Sequence, residues 1–203
     1  MRLCVTFALC VLASFAWADA PDPPLPALYA VTGVAADDTL NIRAQPDGSA
    51  DILGTFGHDA QKIEVTALSL EGRWAQVNVV ERTGWVAMRF LRPETLASNA
   101  LGLPKGLQCF GTEPFWAITF EDGPEITLRT PEKEVRHDIL AASQGPLSVN
   151  LSEGMYRFSW QDNGITVIAH ILSGICFDGM SDRTYGLHYI DDHGPRIGCC
   201  SLN

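Results

Sequence analysis

Short runs of alternating apolar and polar residues fill the first half of the chain, and clusters of turn-forming residues separate them. The segments 39–42 (TLNI), 63–66 (IEVT) and 74–79 (WAQVNV) each alternate with a period of two, which is the spacing of a half-buried β-strand. Clusters such as 45–48 (QPDG) punctuate them as turns. No stretch here keeps a helical period. Residues 27–93 are therefore predicted to form a small barrel or sandwich, near the lower size limit for an independent core.

The second half, residues 107–203, shows the same alternation of strands and turns and contains the strongest hairpin signal. Asn163-Gly164 stands between two alternating runs, and this dipeptide favours the tight turn of a two-residue hairpin. We expect an antiparallel meander that closes into a small barrel of about eight strands. The chain as a whole is predicted to be all-β with two domains. The strand candidates of the second domain are residues 115–120, 125–129, 135–140, 156–160, 165–171, 185–190 and 196–200.

The first residues have the features of a signal peptide. Met1-Arg2 supplies a short positive start, residues 3–18 carry no charge, and the sequence AWA at 16–18 offers a cleavage site. The apolar run is shorter than the roughly 20 residues that span a bilayer. We therefore predict a cleaved signal peptide at 1–18, export to the periplasm and no membrane span afterwards. A retained anchor and a lipoprotein attached through Cys10 are the minor alternatives.

Two connecting segments flank the first domain. Residues 19–26 form a leader with four prolines at positions 21–26, a composition that makes the backbone stiff and extended. Residues 94–106 form a linker of small and turn-forming residues. At its start, proline followed by an acidic residue favours a short helix around 93–96.

The cysteines agree with export. Cys4 and Cys10 belong to the predicted signal peptide, which leaves an even number for an oxidising compartment and predicts two disulfides. A bond between the two neighbouring cysteines would need a strained ring. Two pairings remain open: Cys109–Cys199 with Cys176–Cys200, or Cys109–Cys200 with Cys176–Cys199.

The charge of the exported chain excludes two classes of partner. Without the signal peptide, 24 acidic residues stand against 13 basic ones, which gives a formal charge of −11. Nucleic acids and anionic membrane surfaces both require a basic patch. We therefore expect no nucleic-acid partner. The charge suits a soluble protein, or one that meets cationic partners locally, and we expect a monomer.

Residues 27–93 resemble the bacterial SH3-like (SH3b) domain. The segments that carry the resemblance occur in the order of that family; the one departure is Gln45, where the family usually has glycine. The resemblance implies peptidoglycan as the ligand, especially its peptide stems, although some relatives serve as spacers or protein docking modules. Aromatic grooves on such barrels accept short peptides, so Trp85 is a candidate binding residue. The matching segments are 34–35 (VA), 40–46 (LNIRAQP), 52–54 (ILG), 74–77 (WAQV), 84–87 (GWVA) and 90–91 (FL).

Residues 107–203 resemble a family of uncharacterised bacterial envelope proteins, many of them lipoproteins. The shared motifs are CFGTEPFW at 109–116, CFDGMSD at 176–182 and GCC at 198–200. This resemblance implies no biochemical activity. By architecture alone, the expected barrel is similar to those of envelope stress proteins and periplasmic lysozyme inhibitors.

The motifs of the second domain predict one cluster of polar and aromatic side chains. The disulfides would draw Glu113 and the loop of Asp178 and Asp182 toward one end of the barrel, where polar groups beside aromatic ones make a plausible ligand site. The structural alternative is ordinary turn chemistry, with an ion pair between Glu113 and Arg183. The candidate ligand-binding residues of this domain are Glu113, Trp116, Asp178, Ser181, Asp182, Arg183 and Tyr185.

Three kinds of catalytic or metal chemistry find weak support. A carboxylate pair of Asp178 with Asp182 or Glu113 resembles the acids of glycoside hydrolysis, but acidic turn residues are common in this chain. A thiol nucleophile needs a free cysteine, which the even count argues against. The spacing of Cys176, His188, His193, Cys199 and Cys200 is wider than zinc sites prefer. We predict no catalytic residue, no metal and no cofactor.

These observations favour a periplasmic accessory protein that binds and does not catalyse. Its SH3-like domain would dock peptidoglycan or an envelope protein, and its barrel would bind a small ligand or a protein. The alternatives are an envelope enzyme or a lysozyme-type enzyme inhibitor acting through the second domain, and a purely structural envelope protein.

Overall fold

The computed structural model describes residues 23–144, 156–194 and 196–202. These residues are built almost wholly of β-strands, which confirms the predicted all-β class. The predicted signal peptide and the start of the leader lie outside the described residues. The only helix in the described part is the 3₁₀ helix Met88–Phe90. It is too short and polar to cross a membrane, and the described ranges hold no helix that could.

The predicted short helix around 93–96 is wrong. Pro93 ends a strand, and residues 94–97 run on without helical structure. The backbone N–H of Glu94 instead donates to the carbonyl oxygen of Leu28 at 2.8 Å. A proline and an acidic residue suit a first helical turn, but here the antiparallel pairing of residues 91–93 with residues 29–31 continues for one more residue.

The described residues up to Pro93 form two small sheets, which we call the first domain. One sheet has the strand order β4-β1-β8 and the other β3-β2-β7-β6-β5. All pairings are antiparallel, as expected for short strands joined by tight turns. The strands are β1 Ala27–Val31, β2 Thr39–Arg43, β3 Ile52–Gly57, β4 Ile63–Val65, β5 Ala67–Leu68, β6 Trp74–Val79, β7 Arg82–Ala87 and β8 Leu91–Pro93.

The core of the first domain follows from the period-two alternation. Ile42 of β2, Ala75 of β6 and Val86 of β7 point inward and are almost fully buried. They meet Tyr29 and Val65 of the other sheet in one apolar cluster. Because alternate residues point to opposite faces, the intervening side chains of the same strands form the outer face of the five-stranded sheet.

The described residues from Gln108 onward form a closed, eight-stranded antiparallel barrel, as predicted. Consecutive strands pair with one another, and the last strand returns to pair with the first, with Cys200 opposite Cys109. The strands are β9 Gln108–Thr112, β10 Phe115–Phe120, β11 Glu125–Arg129, β12 Glu134–Gln144, β13 Tyr156–Asp162, β14 Ile165–Cys176, β15 Tyr185–Asp191 and β16 Ile197–Ser201.

The Asn-Gly hairpin lies where the sequence predicts it. Asn163 and Gly164 have φ values of 50° and 80° and join β13 to β14. Positive φ at both central positions is the signature of a type I′ turn, whose twist matches that of the strands. Since asparagine and glycine enter this region most readily, the two residues determine the register of the hairpin.

Aromatic side chains fill the interior of the barrel. Trp160 and Phe158 stack with their ring centroids 5.5 Å apart, and Phe120 meets Phe158 edge-on at 5.0 Å. Trp116 packs against Tyr189 at 4.8 Å. An eight-stranded barrel is just wide enough for side chains to fill it, so binding surfaces are expected on the outside of this domain.

Candidate functional site

The two disulfides take the second of the two pairings that the sequence leaves open. Cys109 is bonded to Cys200 and Cys176 to Cys199. Neighbouring residues on a strand point to opposite faces, so Cys200 lies inside the barrel against Cys109 of the adjacent strand. Cys199 faces outward, where Phe110 packs over it. The last strand is therefore cross-linked on both of its faces: through Cys200 to Cys109 inside the barrel, and through Cys199 to Cys176 outside it.

The loop after Cys176 is organised by the carboxylate of Asp178. Its Oδ1 accepts the backbone N–H groups of Met180 and Ser181, both at 2.9 Å, and its Oδ2 accepts the Ser181 hydroxyl at 2.8 Å. Burial by itself would raise the pKa of Asp178, but these hydrogen bonds outweigh it and lower the pKa below its ordinary value. The carboxylate thus stays ionised and holds the loop in shape.

The same loop docks onto the first domain. The backbone N–H of Asp182 donates to the carbonyl oxygen of Glu81 at 2.9 Å, and that of Thr83 donates to the carbonyl oxygen of Asp182 at 3.0 Å. These two bonds make a parallel bridge between Asp182 and Arg82. We call the contact between residues 181–184 of the barrel and residues 78–83 of the β6–β7 hairpin the clasp.

One amide side chain completes the clasp. Asn78 donates through Nδ2 to the carbonyl oxygen of Thr184 at 2.9 Å, and its Oδ1 accepts the Thr184 N–H at 3.1 Å. The Thr83 hydroxyl adds a bond of 2.9 Å to the Thr184 hydroxyl. The side-chain amide of Asn78 thus forms, with the backbone of Thr184, the pair of hydrogen bonds that a neighbouring strand would form. The motif loop of the second domain has a clear structural task, which is to fix one domain on the other.

Arg183 and Tyr185 lie at the edge of the clasp. Arg183 donates from Nε to the carbonyl oxygen of Val80 at 2.5 Å, and its hydrogen bond with Tyr185 raises the pKa of the guanidinium. Burial raises the pKa of the Tyr185 phenol, which donates to Asp178 Oδ2 at 3.4 Å. Phe110 meets the Tyr185 ring edge-on at 5.0 Å.

The other predicted residues of this cluster lie apart from it. Glu113 is exposed in the turn between β9 and β10, and within the described residues no ion pair joins it to Arg183. Its neighbour Thr112 reaches the loop by donating a hydrogen bond of 3.0 Å to the carbonyl oxygen of Asp178. Trp116 is buried inside the barrel and not at its rim, because it occupies an inward position in the alternation of β10.

A groove on the first domain was only partly anticipated. It is a cavity of about 590 Å³ between the loop after β1, strand β2 and the 3₁₀ helix; we call it the outer groove. Trp74 and Phe90 give it aromatic walls, and the Arg89 guanidinium lies 4.6 Å from the centroid of the Phe90 ring. Its lining residues are Gly33, Val34, Ala35, Asp38, Thr39, Leu40, Asn41, Arg43, Gly48, Trp74, Ala87, Arg89 and Phe90.

Trp85, the predicted binding residue of the first domain, lies beside this groove and does not line it. Trp85 pairs across the sheet with Arg43, a lining residue, and with Gln76. Trp74, opposite Ala87, is the tryptophan in the lining. Both tryptophans occupy outward positions in their strands, so the alternation alone could not show which of them lines the groove.

Glu64 makes a second contact between the domains that sequence reasoning missed. It lies in β4, and its Oε2 accepts the Ser201 hydroxyl at 2.5 Å while its Oε1 accepts the Leu202 N–H at 3.2 Å. Burial raises the pKa of this carboxyl, although the two hydrogen bonds oppose the shift. An isolated glutamate in an alternating strand looks like a solvent-facing residue, so no signal in the sequence marks it.

We expect the contribution of Glu64 to stability to depend on pH with a definite sign. Because its pKa is raised above the ordinary 4.5 in the folded protein, the folded state holds the proton more tightly than the unfolded chain does. The associated stability is present below the unfolded pKa and is lost as pH rises through the folded pKa. The free energy of unfolding of the native protein and of Glu64→Gln should be measured with denaturant from below the unfolded pKa of Glu64 to above its folded pKa. The advantage of the native protein over Glu64→Gln should shrink or reverse as pH rises. If the two free energies change in parallel with pH, the raised pKa of Glu64 is contradicted.

The oxidation state of the cysteines bears on the zinc site that the sequence analysis weighed. Cys176, Cys199 and Cys200 are oxidised, so they have no thiolate with which to ligate a metal. In the described part of the chain, no group of three or more histidine, cysteine or acidic side chains is placed to hold a metal ion.

The chain was also compared with known proteins. No family model, no curated protein and no solved structure matches it. The function must therefore be inferred from the site itself, and the resemblances carried by the motifs remain expectations.

Proposed function

We propose that this protein is a binding protein of the bacterial periplasm, whose SH3-like first domain docks a short peptide in the outer groove. The peptide stems of peptidoglycan are the ligand that the motif resemblance favours, with a peptide segment of an envelope protein as the alternative source. In this proposal the barrel is held against the first domain by the clasp and supplies a further surface for a small ligand or protein. The chain works without a catalytic centre, a cofactor or nucleic acid, and as a monomer.

The observation that carries the proposal is the combination of aromatic walls and charges in the outer groove. Trp74 and Phe90 offer flat apolar surface at little conformational cost. Arg43 and Arg89 supply cations in a chain whose formal charge is −10. A peptide that carries carboxylates as well as apolar groups matches both features, and peptide stems of peptidoglycan have this composition.

The position of the groove also suits a peptide. It lies over β2, between the segment of Gly33 and the 3₁₀ helix Met88–Phe90. Gly33 has a φ of 68°, a conformation that favours glycine, so the chain can turn sharply there at one wall of the groove. Small barrels bind extended peptides in aromatic-lined grooves of this kind.

Co-sedimentation with purified peptidoglycan sacculi tests this function. We expect the full chain to sediment with sacculi and Trp74→Ala to weaken the association about tenfold or more, since one buried aromatic anchor contributes about 2 kcal/mol. Trp85→Ala is the matched control, because that side chain lies on the same sheet face but outside the lining. We expect a clearly smaller effect from it.

The outcomes separate the proposal from its rivals. Equal sedimentation of the native protein and Trp74→Ala, or sedimentation no greater than that of an unrelated acidic protein, would contradict the groove. In parallel, new products from muropeptides would indicate an enzyme, and loss of lysozyme activity would indicate an inhibitor. Either result would move the function to the second domain.

A further inference from the structure

A second cavity lies where the proline-rich leader, the first domain and the barrel meet. It has a volume of about 310 Å³, and we call it the leader pocket. Its walls come from the leader at residues 23–26, from the start of β1, from residues 94–96 after β8, and from the barrel strands β13, β14 and β15. The predicted cleavage after Ala18 would leave all of these walls in the exported protein.

The walls of the leader pocket are mostly apolar. Proline, leucine and alanine make up most of its lining, and Leu28, Leu187 and Leu202 connect it to the hydrophobic core of the barrel. Small-molecule sites are typically cavities of this size with apolar walls and a few polar groups, because the apolar walls supply affinity and the polar groups fix the orientation. The leader pocket is therefore suited to the apolar part of a small ligand.

The leader forms a stiff wall of this pocket. Proline fixes its own φ and restricts the residue before it. Pro26 also packs directly on the backbone of Gly186 in β15, since a Cβ at position 186 would lie 2.7 Å from the Cβ of Pro26. Because this wall is ordered before a ligand arrives, binding would lose little conformational entropy.

One phenol offers a polar contact inside the pocket. Tyr156 lines the pocket from the start of β13. Burial alone raises the pKa of this phenol, and no hydrogen bond to another described residue opposes the shift. The phenol therefore stays protonated, and its hydroxyl can both donate to a ligand and accept from one. A ligand oxygen at this point would replace the hydration that burial removes.

The charge at the pocket disfavours an anion. Glu94 is the charged residue among the described lining residues, and its Oε2 accepts the backbone N–H of Lys62 at 2.6 Å. An anionic ligand would meet this carboxylate, and it would also lose its hydration against the apolar walls, which is costly for a charge without a partner. An uncharged ligand avoids both costs.

We propose that the leader pocket binds a small uncharged amphiphile with a short alkyl or acyl chain. The chain lies against Leu28, Leu187 and Leu202, and its hydroxyl or carbonyl oxygen meets the phenol of Tyr156. An apolar cavity of about 150 Å³ holds a molecule the size of benzene, so the leader pocket has room for up to roughly twelve non-hydrogen atoms. This site is separate from the outer groove, and it stands whether or not the groove binds peptidoglycan.

An NMR titration of the isotopically labelled protein tests the site with a matched pair of probes. The alcohol 1-octanol is uncharged and fits this size, and octanoate has a chain of the same length with a charged head. We expect saturable shifts of the Tyr156 and Leu187 amides with 1-octanol. Octanoate should bind about tenfold more weakly, because its carboxylate must leave water. From 1-hexanol to 1-octanol, each added methylene should tighten binding about threefold to fourfold.

Two variants test the polar contacts of the ligand. Tyr156→Phe removes only the hydroxyl, so it should weaken 1-octanol about threefold or more and leave the binding of toluene, which has no hydroxyl, unchanged. Glu94→Gln should narrow the difference between 1-octanol and octanoate, because it removes the charge while its amide oxygen can still accept the Lys62 N–H.

Two further variants locate the site. Thr95 is an exposed residue of the lining, so Thr95→Trp should abolish binding by filling the pocket, while an unchanged melting temperature shows that the fold persists. Trp74→Ala should leave binding unchanged, which separates this site from the outer groove. Equal binding of 1-octanol and octanoate, no saturable shifts, undiminished binding in Thr95→Trp, or shifts confined to another surface would each overturn the proposal.

Discussion

Replacing Cys109 and Cys200 together by alanine should lower the free energy of unfolding by about 4 to 5 kcal/mol. The bond spans 91 residues, and a cross-link over a longer loop removes more entropy from the unfolded chain. It also joins the first strand of the barrel to the last, since Cys109 and Cys200 are direct partners across β9 and β16. Denaturant unfolding followed by tryptophan fluorescence measures the loss.

The second disulfide provides the matched control. Cys176–Cys199 closes a loop of only 23 residues, so the corresponding double alanine variant should lose less, about 3 kcal/mol. Equal losses in the two variants, or a larger loss for the shorter loop, would show that unfolded-state entropy does not govern these bonds. The shorter bond also lies at the base of the Asp178 loop, so its removal should loosen the clasp more than removal of the longer one.

Asp191→Ala should destabilise the barrel by about 3 to 5 kcal/mol, because it leaves a charge of opposite sign without its partner inside the protein. The Asp191 side chain is fully buried and its Oδ2 lies 2.7 Å from Nη1 of Arg196, which is 16% exposed. The Tyr189 phenol donates to the same oxygen at 3.0 Å. Burial raises the pKa of Tyr189, so this phenol stays protonated and acts as a donor.

This loss of stability should be specific to the buried ion pair of Asp191 and Arg196. After the substitution, the nearest acid to Arg196 among the described residues is Asp162, at 4.0 Å from Nη2, which is too far for a good hydrogen bond. Glu134→Ala is the control, because its pair with Arg129 has the same separation of 2.7 Å but lies in solvent. Exposed pairs contribute little, so chemical denaturation should show a far smaller change there. Comparable losses would contradict the account.

Much of the fold could be predicted because the local signals agree with one another. Period-two alternation found most strands of the barrel, and the Asn163-Gly164 dipeptide located a hairpin whose φ values require such residues. The even number of cysteines predicted two disulfides. The strand β9 was missed because Gln108–Thr112 contains Gly111, which weakens the apolar pattern. Gly111 is needed there, since a Cβ at this position would come within 2.2 Å of Nε1 of Trp116.

The candidate sites were less predictable because they depend on contacts between distant parts of the chain. The motif loop suggested a ligand site, yet much of its polar chemistry serves the clasp; the partner residue Asn78 lies 106 positions from Thr184. Glu64 and Ser201 are 137 positions apart. The outer groove draws on the loop after β1, on β2, on Trp74 and on the 3₁₀ helix. No local pattern encodes such a convergence, so the choice between Trp74 and Trp85 required the fold.

The central claim, that the outer groove holds a peptide, is tested most directly by NMR titration of the labelled full chain with a soluble stem peptide of peptidoglycan. We expect saturable shifts of the Trp74 indole and of backbone amides at Asn41 and Arg89, all of which line the groove. The shifts should disappear in Trp74→Ala and persist in Trp85→Ala. Absence of saturable shifts, or shifts that lie only on the barrel, would contradict the account.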